Sequence, residues 1–241
     1  MYSKLLAEQH SNKDTNISNE LRKLLCSLGT PKKIEKDEYL YHEGSDAQEI
    51  FLIQSGLVHI TLLTSDGKEL SMRICKSGDI FGELTLFTNN PKYLLSARAL
   101  QKGVVLLIDK EKLEQELMTN SALTFEFMRW VSDHMRKFQS KIRDLLLNGK
   151  KGALYSTLIR LSNSYGKANE DGLLIDIAMT NQELANFCAA TRESVNRMLA
   201  ELRTLNVISI QQDGKILIKN VQFLRDEIGC DNCPIEVCNI N

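Results

Sequence analysis

Residues 180–203 read TNQELANFCAATRESVNRMLAELR, and the C-terminal architecture follows from that stretch. Thr180-Asn181-Gln182-Glu183 has the T-x-x-E form of a capping box, so a helix is expected to begin at Thr180. Leu184, Phe187 and Cys188 fall on one face of it, Ala189-Ala190 makes a short turn, and Thr191 caps a second helix. Val195, Met198, Leu199 and Leu202 turn inward at helical spacing, which leaves Arg192, Glu193, Asn196 and Arg197 outside. Two short helices so joined form a helix-turn-helix. The outward residues are of base-reading types: arginine pairs with guanine, glutamate accepts from the cytosine amino group, asparagine pairs with adenine. A charged face on an isolated helix is more often merely solvated, and here the sequel decides. Val207 to Ile210 and Lys215 to Ile218 alternate around Gln211-Gln212-Asp213-Gly214, a hairpin wing carrying Lys215 and Lys219 to brace the helix on the phosphate backbone. A glutamate turned toward a polyanion is expected to read a base. Cys188 is expected to be a small buried side chain.

Working back from this pair, residues 173–178 read as a strand and 153–165 as a helix, and Asn148-Gly149-Lys150-Lys151-Gly152 reads as a hinge. From Lys110 to Leu147 glycine and proline are absent, so one long helix is expected, broken near Thr119 to Ser121. Met128, Val131, Met135, Phe138, Ile142 and Leu145 alternate along it at spacings of 3 and 4, an a/d seam suited to a parallel homodimer. The competing reading is a helix lying on its own barrel. Residues 34–108 carry short β-rich runs (Tyr39 to Tyr41, Ile50 to Ile53, Leu57 to Leu63, Ser71 to Cys75, Val104 to Ile108). Gly44, Gly56, Gly67 and Gly78 punctuate them at steps of roughly 11 residues. That spacing means an antiparallel meander rolled into a barrel, with Asp66-Gly67 in a tight hairpin. Leu21, Leu24, Leu25 and Leu28 form a leading helix ended by Gly29-Thr30-Pro31, with Cys26 on its apolar side.

The expected class is therefore α+β: an N-terminal β-roll, a long dimerisation helix and a C-terminal winged helix-turn-helix. The divisions are 1–30 leading helical segment, 31–109 roll, 110–147 helical region, 148–152 hinge, 153–229 DNA-binding domain and 230–241 cysteine tail. With 241 residues, 43% hydrophobic and 25% charged, disorder and collagen-like composition are excluded. No run approaches the ~20 apolar residues of a membrane span, and MYSKLLAEQHSNKD lacks an apolar signal core, so a cytoplasmic protein is expected. The net charge of -1 gives no global attraction to nucleic acid, and any binding to double-stranded DNA must use a local face. No nucleophile–base constellation or Gly-rich phosphate loop stands out, which argues against an enzyme.

Three of the six cysteines stand in Cys230-Asp231-Asn232-Cys233-Pro234-Ile235-Glu236-Val237-Cys238. Six are too few for a disulfide scaffold, whereas a C-x2-C step with a third cysteine close behind can gather thiolates about a metal centre. An iron–sulfur cluster, a structural zinc site and a thiol–disulfide switch all remain open. Zinc would want a fourth donor, for which His134 is the nearest histidine.

Gly78-Asp79-Ile80-Phe81-Gly82-Glu83-Leu84 together with Thr191-Arg192-Glu193-Ser194-Val195-Asn196-Arg197 resembles the CRP/FNR family of bacterial transcription regulators, over residues 30 to 225. The resemblance implies a roll like that of cyclic-nucleotide-binding domains, a homodimer, and a palindromic TGTGA-type operator read by Arg192, Glu193 and Arg197. Asn196 has no settled part in that scheme. It also implies RNA polymerase as a partner. Cyclic-nucleotide members carry an Arg-Ser pair that grips the phosphate, where this chain has Tyr93-Leu94; Arg98 does not replace it, and no cyclic-nucleotide site is expected. Glu83 is expected to be a turn residue bonded to backbone. The cysteine tail is similar to that of the Bacillus-type branch of Fnr oxygen regulators, which implies a [4Fe-4S] cluster on Cys230, Cys233 and Cys238. That branch points to Asp144 as fourth ligand; taken alone, Asp144 would read as a solvated acid off the seam. Asp133, Asp231, Cys26 and Cys75 are the other donors considered. The expected protein is an oxygen-responsive regulator of anaerobic genes, set against a regulator with a zinc tail and a small-molecule effector, or a redox switch.

Overall fold

The computed structural model describes residues 17–64, 67–230 and 233–240. Asp231 and part of the expected turn at residues 65–68 lie outside them. The described chain divides between Ser132 and Asp133 into two compact units.

The first unit opens with α1 (Asn19–Leu28), whose cap is Ser18, its side chain accepting from the Leu21 N–H. Leu21 and Leu25 are wholly buried one turn apart, a burial that contributes roughly 1.5–3 kcal/mol per side chain. Cys26 is exposed rather than apolar-facing, because the next residue along a helix turns well away from the stripe that Leu25 occupies. Helix α1 passes directly into β1 (Gly29–Ile34), followed by β2 (Tyr39–Tyr41), β3 (Glu49–Leu63), β4 (Glu69–Cys75), β5 (Ile80–Phe81) and β6 (Ser96–Asp109). Every pairing is antiparallel, in the order β1-β6-β3-β4, with β2 on β6 and β5 on β3. The runs expected as separate strands around Ile50 and Leu57 are one 15-residue strand. Gly56 carries it through a bulge at φ +92. A Cβ there would sit 2.9 Å from the Lys102 carbonyl oxygen, so the glycine continues the strand where a turn was expected.

Alternation along β3 and β6 builds two cores. Phe51, Ile53, Ala97 and Val105 face the inside of the roll with Tyr41, Phe81 and Tyr93. Ile50, Leu52, Leu106 and Ile108 face outward against α1, α2 (Lys110–Thr119) and Phe127 and Trp130 of α3 (Ser121–Leu147). The helix break falls at Asn120. On α3, then, Phe127 and Trp130 serve the roll, with Val131 half-buried beside them. Met128, Met135, Phe138 and Ile142 are exposed and Leu145 is half-buried.

The second unit contains the end of α3, α4 (Gly149–Tyr165), β7 (Gly166–Asn169), β8 (Gly172–Ile175), α5 (Asn181–Phe187), α6 (Arg192–Thr204), β9 (Ile208–Ile210), β10 (Ile216–Ile218) and α7 (Val221–Glu227). Its strands run in the order β7-β8-β10-β9. The segment expected as a hinge is an interruption at Asn148 followed by the first turn of α4. A Cβ at Gly152 would meet the Asn148 Cβ at 2.2 Å, so this turn admits only glycine there. Among the described residues no helix is long and apolar enough to cross a membrane.

Candidate functional site

Both halves of the expected capping box form: the Thr180 side chain accepts from the Glu183 N–H while the Glu183 carboxylate accepts from the Thr180 N–H. Ala189 takes the left-handed conformation (φ 47) that turns the chain, and Thr191 caps α6 by accepting from the Ser194 N–H. Leu184, Phe187, Val195, Met198, Leu199 and Leu202 are buried, as is Cys188, whose thiol contacts the Thr157 hydroxyl at 3.7 Å. This packing fixes the opposite face of α6, where Arg192, Glu193, Asn196 and Arg197 are all exposed. Asn196 has a partner within the motif, its Oδ1 accepting from Asn181 Nδ2 at 3.2 Å. Glu193 also has a local reason to be acidic. It stands in the first turn of α6, where its own N–H and the Thr191 hydroxyl hold its carboxyl below the usual range, as a helix N-terminus favours an anion. In the wing, Lys215 Nζ lies 2.9 Å from Asp176 Oδ1 and 3.1 Å from Asp213 Oδ2, and Lys219 Nζ donates to Asn206. Both lysines therefore have protein partners as well as a place on the expected phosphate-facing hairpin. Glu193→Ala is expected to leave folding intact and to cost about 1–3 kcal/mol at one base-pair position. Titrating an operator set substituted at single positions checks this; uniform weakening at every position would contradict base reading.

The second site lies at the end of the chain. Arg143, Asp144, Ser156, Arg160, Cys230, Cys233 and Cys238 all line one cavity of about 170 Å³ within the second unit. Asp144 is only 7% exposed, so it is not the solvated acid that its position beside Arg143 suggested. Its Oδ2 accepts from Arg160 Nη2 at 2.7 Å and Ser156 Oγ at 2.6 Å, and its Oδ1 faces Arg143 Nη2 at 3.3 Å. Without such partners a buried carboxylate would be strongly penalised; removing one member of a buried pair costs about 3–5 kcal/mol. Arg160, 2% exposed, spreads its remaining donors over the Val237 carbonyl (3.1 Å), Ser140 Oγ (2.9 Å) and Ser156 Oγ (3.2 Å). The Asn163 side chain donates to the Cys238 carbonyl at 2.6 Å, and the Ile240 N–H donates to Ser164 Oγ at 2.9 Å. Helix α4 thus grips the tail by its backbone, beside the cavity that the three cysteines line. Burial pushes the Cys238 thiol up to about 12, against the pull of Arg160 and with the neighbouring Cys233 and Cys230 adding to the rise.

Among the described residues no group of three or more His, Cys, Asp or Glu is placed so that it could hold a metal ion. The donor set nonetheless fits a larger, thiolate-bound group in kind: three thiols at one cavity, a buried carboxylate on its wall and arginine to offset anionic charge. Asp133 pairs with Arg136, Cys75 is buried in the roll and Cys26 is exposed; these and His134 do not line the cavity. Arg160 and Ser156 were missed in the sequence. The available signal was an arginine inside the apolar run Leu158-Ile159-Arg160-Leu161, since arginine is almost never fully buried unless paired.

In the roll, Tyr93 is buried, stacked on Tyr41 with ring centroids 3.7 Å apart, and its hydroxyl donates to the Glu49 carbonyl at 2.8 Å. Leu94 is 66% exposed. Glu83 stands in the turn after Gly82 with its carboxyl bonded to backbone, as expected, and is in addition paired with Arg73 Nη1 at 3.3 Å; Arg98 is paired with Asp37 at 3.2 Å. Burial raises the Glu83 carboxyl and Arg73 opposes the rise.

Residues 31–120 match the cyclic nucleotide-binding domain family, and residues 152–227 the Crp-like helix-turn-helix domain family. The chain is 63% identical over 225 residues to the anaerobic regulatory protein of Bacillus subtilis (strain 168), covering 93% of this chain and 94% of that protein. It is 25% identical over 215 residues to the global nitrogen regulator of Nostoc sp., covering 88% and 96%. Among solved structures it is similar to FixK2 from Bradyrhizobium japonicum, at TM-score 0.71 and 21% identity over 82% of this chain and 96% of that one. It is also similar to a CooA double mutant from Carboxydothermus hydrogenoformans, at TM-score 0.74 and 19% identity over 90% and 97%. These two structural likenesses speak for the fold.

Proposed function

The chain belongs to the CRP/FNR family of transcription regulators, and we propose that it controls anaerobic gene expression through a [4Fe-4S] cluster bound by its C-terminal cysteines. The observation that carries this reading is the shared cavity of Cys230, Cys233, Cys238 and Asp144 in one compact unit. The 63% identical Bacillus subtilis relative is an anaerobic regulatory protein, which agrees with it. When bound, such a cluster supplies an oxygen-sensitive crosslink between its ligands. Asp144 sits in the last turn of α3, which also carries Met135, Phe138 and Ile142 of the proposed dimer seam, and the cysteines follow the winged helix-turn-helix. Tying the tail to Asp144 therefore holds the reading helix α6 in a defined relation to the seam. A dimer must present two such helices about 34 Å apart to occupy a palindromic site in one binding event. Release of the tie widens the range of orientations and lowers operator affinity. Cys230, Cys233, Cys238 and Asp144 would hold the group, and Asp144, a harder donor than thiolate, would be its most weakly matched ligand. On this reading the roll holds no cyclic nucleotide, Tyr93 being committed to core stacking and Glu83 to Arg73; RNA polymerase completes the partners.

Protein purified without air is expected to be brown, with iron and sulfide in near-equal amounts, and to bind a TGTGA-type palindrome. Exposure to air should remove colour and binding together. A colourless zinc protein from strictly anoxic cells would refute the proposal.

A further inference from the structure

We infer that Arg160 is the positioning residue of the tail site: one guanidinium fixes Asp144 by a single carboxylate oxygen and anchors the tail through the Val237 carbonyl. This rests on the proposed metal site for its purpose and on geometry alone for its existence. Arg160 is buried on α4, and its donors reach three places at once: Asp144 and Ser140 on α3, Ser156 on its own helix, and the backbone next to Cys238. Lysine could not do this, because a point ammonium lacks the planar fork that spans several acceptors. The two carboxylate oxygens of Asp144 are treated unequally. Oδ2 is held by Arg160 at 2.7 Å and Ser156 at 2.6 Å, whereas Oδ1 faces Arg143 at 3.3 and 3.4 Å, on a side chain that is 45% exposed. The buried partners orient the carboxylate by Oδ2 and turn Oδ1 toward the arm that can swing into solvent. Residues that bond the far atom of a ligating group fix its direction and tune its donor strength. Arg160 and Ser156 have that relation to Asp144, and Arg160 carries the same constraint to the residue preceding Cys238. The site is then preassembled in the metal-free chain.

The test begins with metal-free protein and hydrogen exchange. In Arg160→Gln, amides of residues 237–240 should exchange at least about tenfold faster than in the natural chain while those of α5 and α6 stay unchanged; Arg160→Lys should fall between. If Arg160→Gln also loosens α5 and α6, the milder Arg160→Lys and Ser156→Ala decide in its place. The second arm uses anaerobically loaded protein. Arg160→Gln and Ser156→Ala should shift the visible absorption of the bound group, and Ser156→Ala should add no shift in an Asp144→Ala background, since Ser156 has no hydrogen bond to the described tail residues and acts through that carboxylate. Tail amides that exchange at the natural rate in every variant, or a Ser156→Ala shift that simply adds to that of Asp144→Ala, would overturn the assignment. A natural chain that takes up no iron and sulfide while its tail still loosens in Arg160→Gln would sink the cofactor reading and leave the anchoring role standing.

Discussion

Anaerobically purified Cys233→Ser is expected to retain its fold and to lose its iron, sulfide and operator binding together, and Cys230→Ser and Cys238→Ser should behave alike. Loss of an outer-shell partner already costs about 10–100-fold in metal affinity, and loss of a ligand costs more. The substitutions test sulfur chemistry rather than stability because the tail is held by its backbone. Arg160 takes the Val237 carbonyl, Asn163 the Cys238 carbonyl, and Ser164 the Ile240 N–H. A serine at position 238 keeps all three bonds. Cys188→Ser is the control: that thiol is buried against Thr157, lies outside the cavity, and its loss should leave iron, sulfide and operator binding in place. Specific sites are bound about 10³–10⁷ more tightly than random DNA, so fluorescence anisotropy under anoxic conditions has ample range to see affinity collapse toward the non-specific level. Full iron content and full affinity in any one of the three serine variants would remove that cysteine from the ligand set.

What could be read directly from the sequence was written locally. The capping box at Thr180 and Glu183, the cap at Thr191, and the apolar stripe of Val195, Met198, Leu199 and Leu202 involve residues a few positions apart, and all form as read. Where distant backbone decides, the reading slipped. Gly56 looks like a turn because it interrupts an apolar run, yet close approach of the Lys102 carbonyl makes it a bulge inside a continuous strand. Strand β7, Gly-Lys-Ala-Asn, has no β-forming side chains and exists because β8 pairs with it from Gly166 to Asn169. Helix α4 starts at Gly149, ahead of the expected residue 153, since tight packing on Asn148 outweighs the poor helix propensity of Gly149 and Gly152. The cysteine spacing named three members of the tail site. That Asp144 is buried, and why it tolerates burial, depends on Arg160 reaching it across 16 residues, a relation that no local spacing encodes.

Phe138→Glu is expected to abolish the proposed dimer while leaving iron and sulfide uptake intact. Helix α3 divides its apolar residues between two partners. Phe127 and Trp130 go into the roll's outer core at 5% and 4% exposure, whereas Met128, Met135, Phe138 and Ile142 stay 62%, 45%, 38% and 38% exposed. An apolar stripe of that length on a single helix marks an interaction face, and its 3/4 spacing suits a second copy of the same helix. In a twofold contact each substitution enters twice, so Phe138→Glu would bring two carboxylates into an apolar seam. The effective penalty of burying an unpaired ion is several kcal/mol each, and every 1.4 kcal/mol is tenfold in the dissociation constant. Dimerisation should therefore weaken by several orders of magnitude, visible as monomer in sedimentation equilibrium, and occupancy of a palindrome should fall with it. Phe138→Leu, which keeps an apolar knob, should remain dimeric. Iron and sulfide should persist in the monomer because Asp144, Cys230, Cys233 and Cys238 belong to one compact unit of one chain. A Phe138→Glu protein that still sediments as a dimer would move the association surface off this seam, and one that loses its iron as well would mean that the tail site depends on the partner copy.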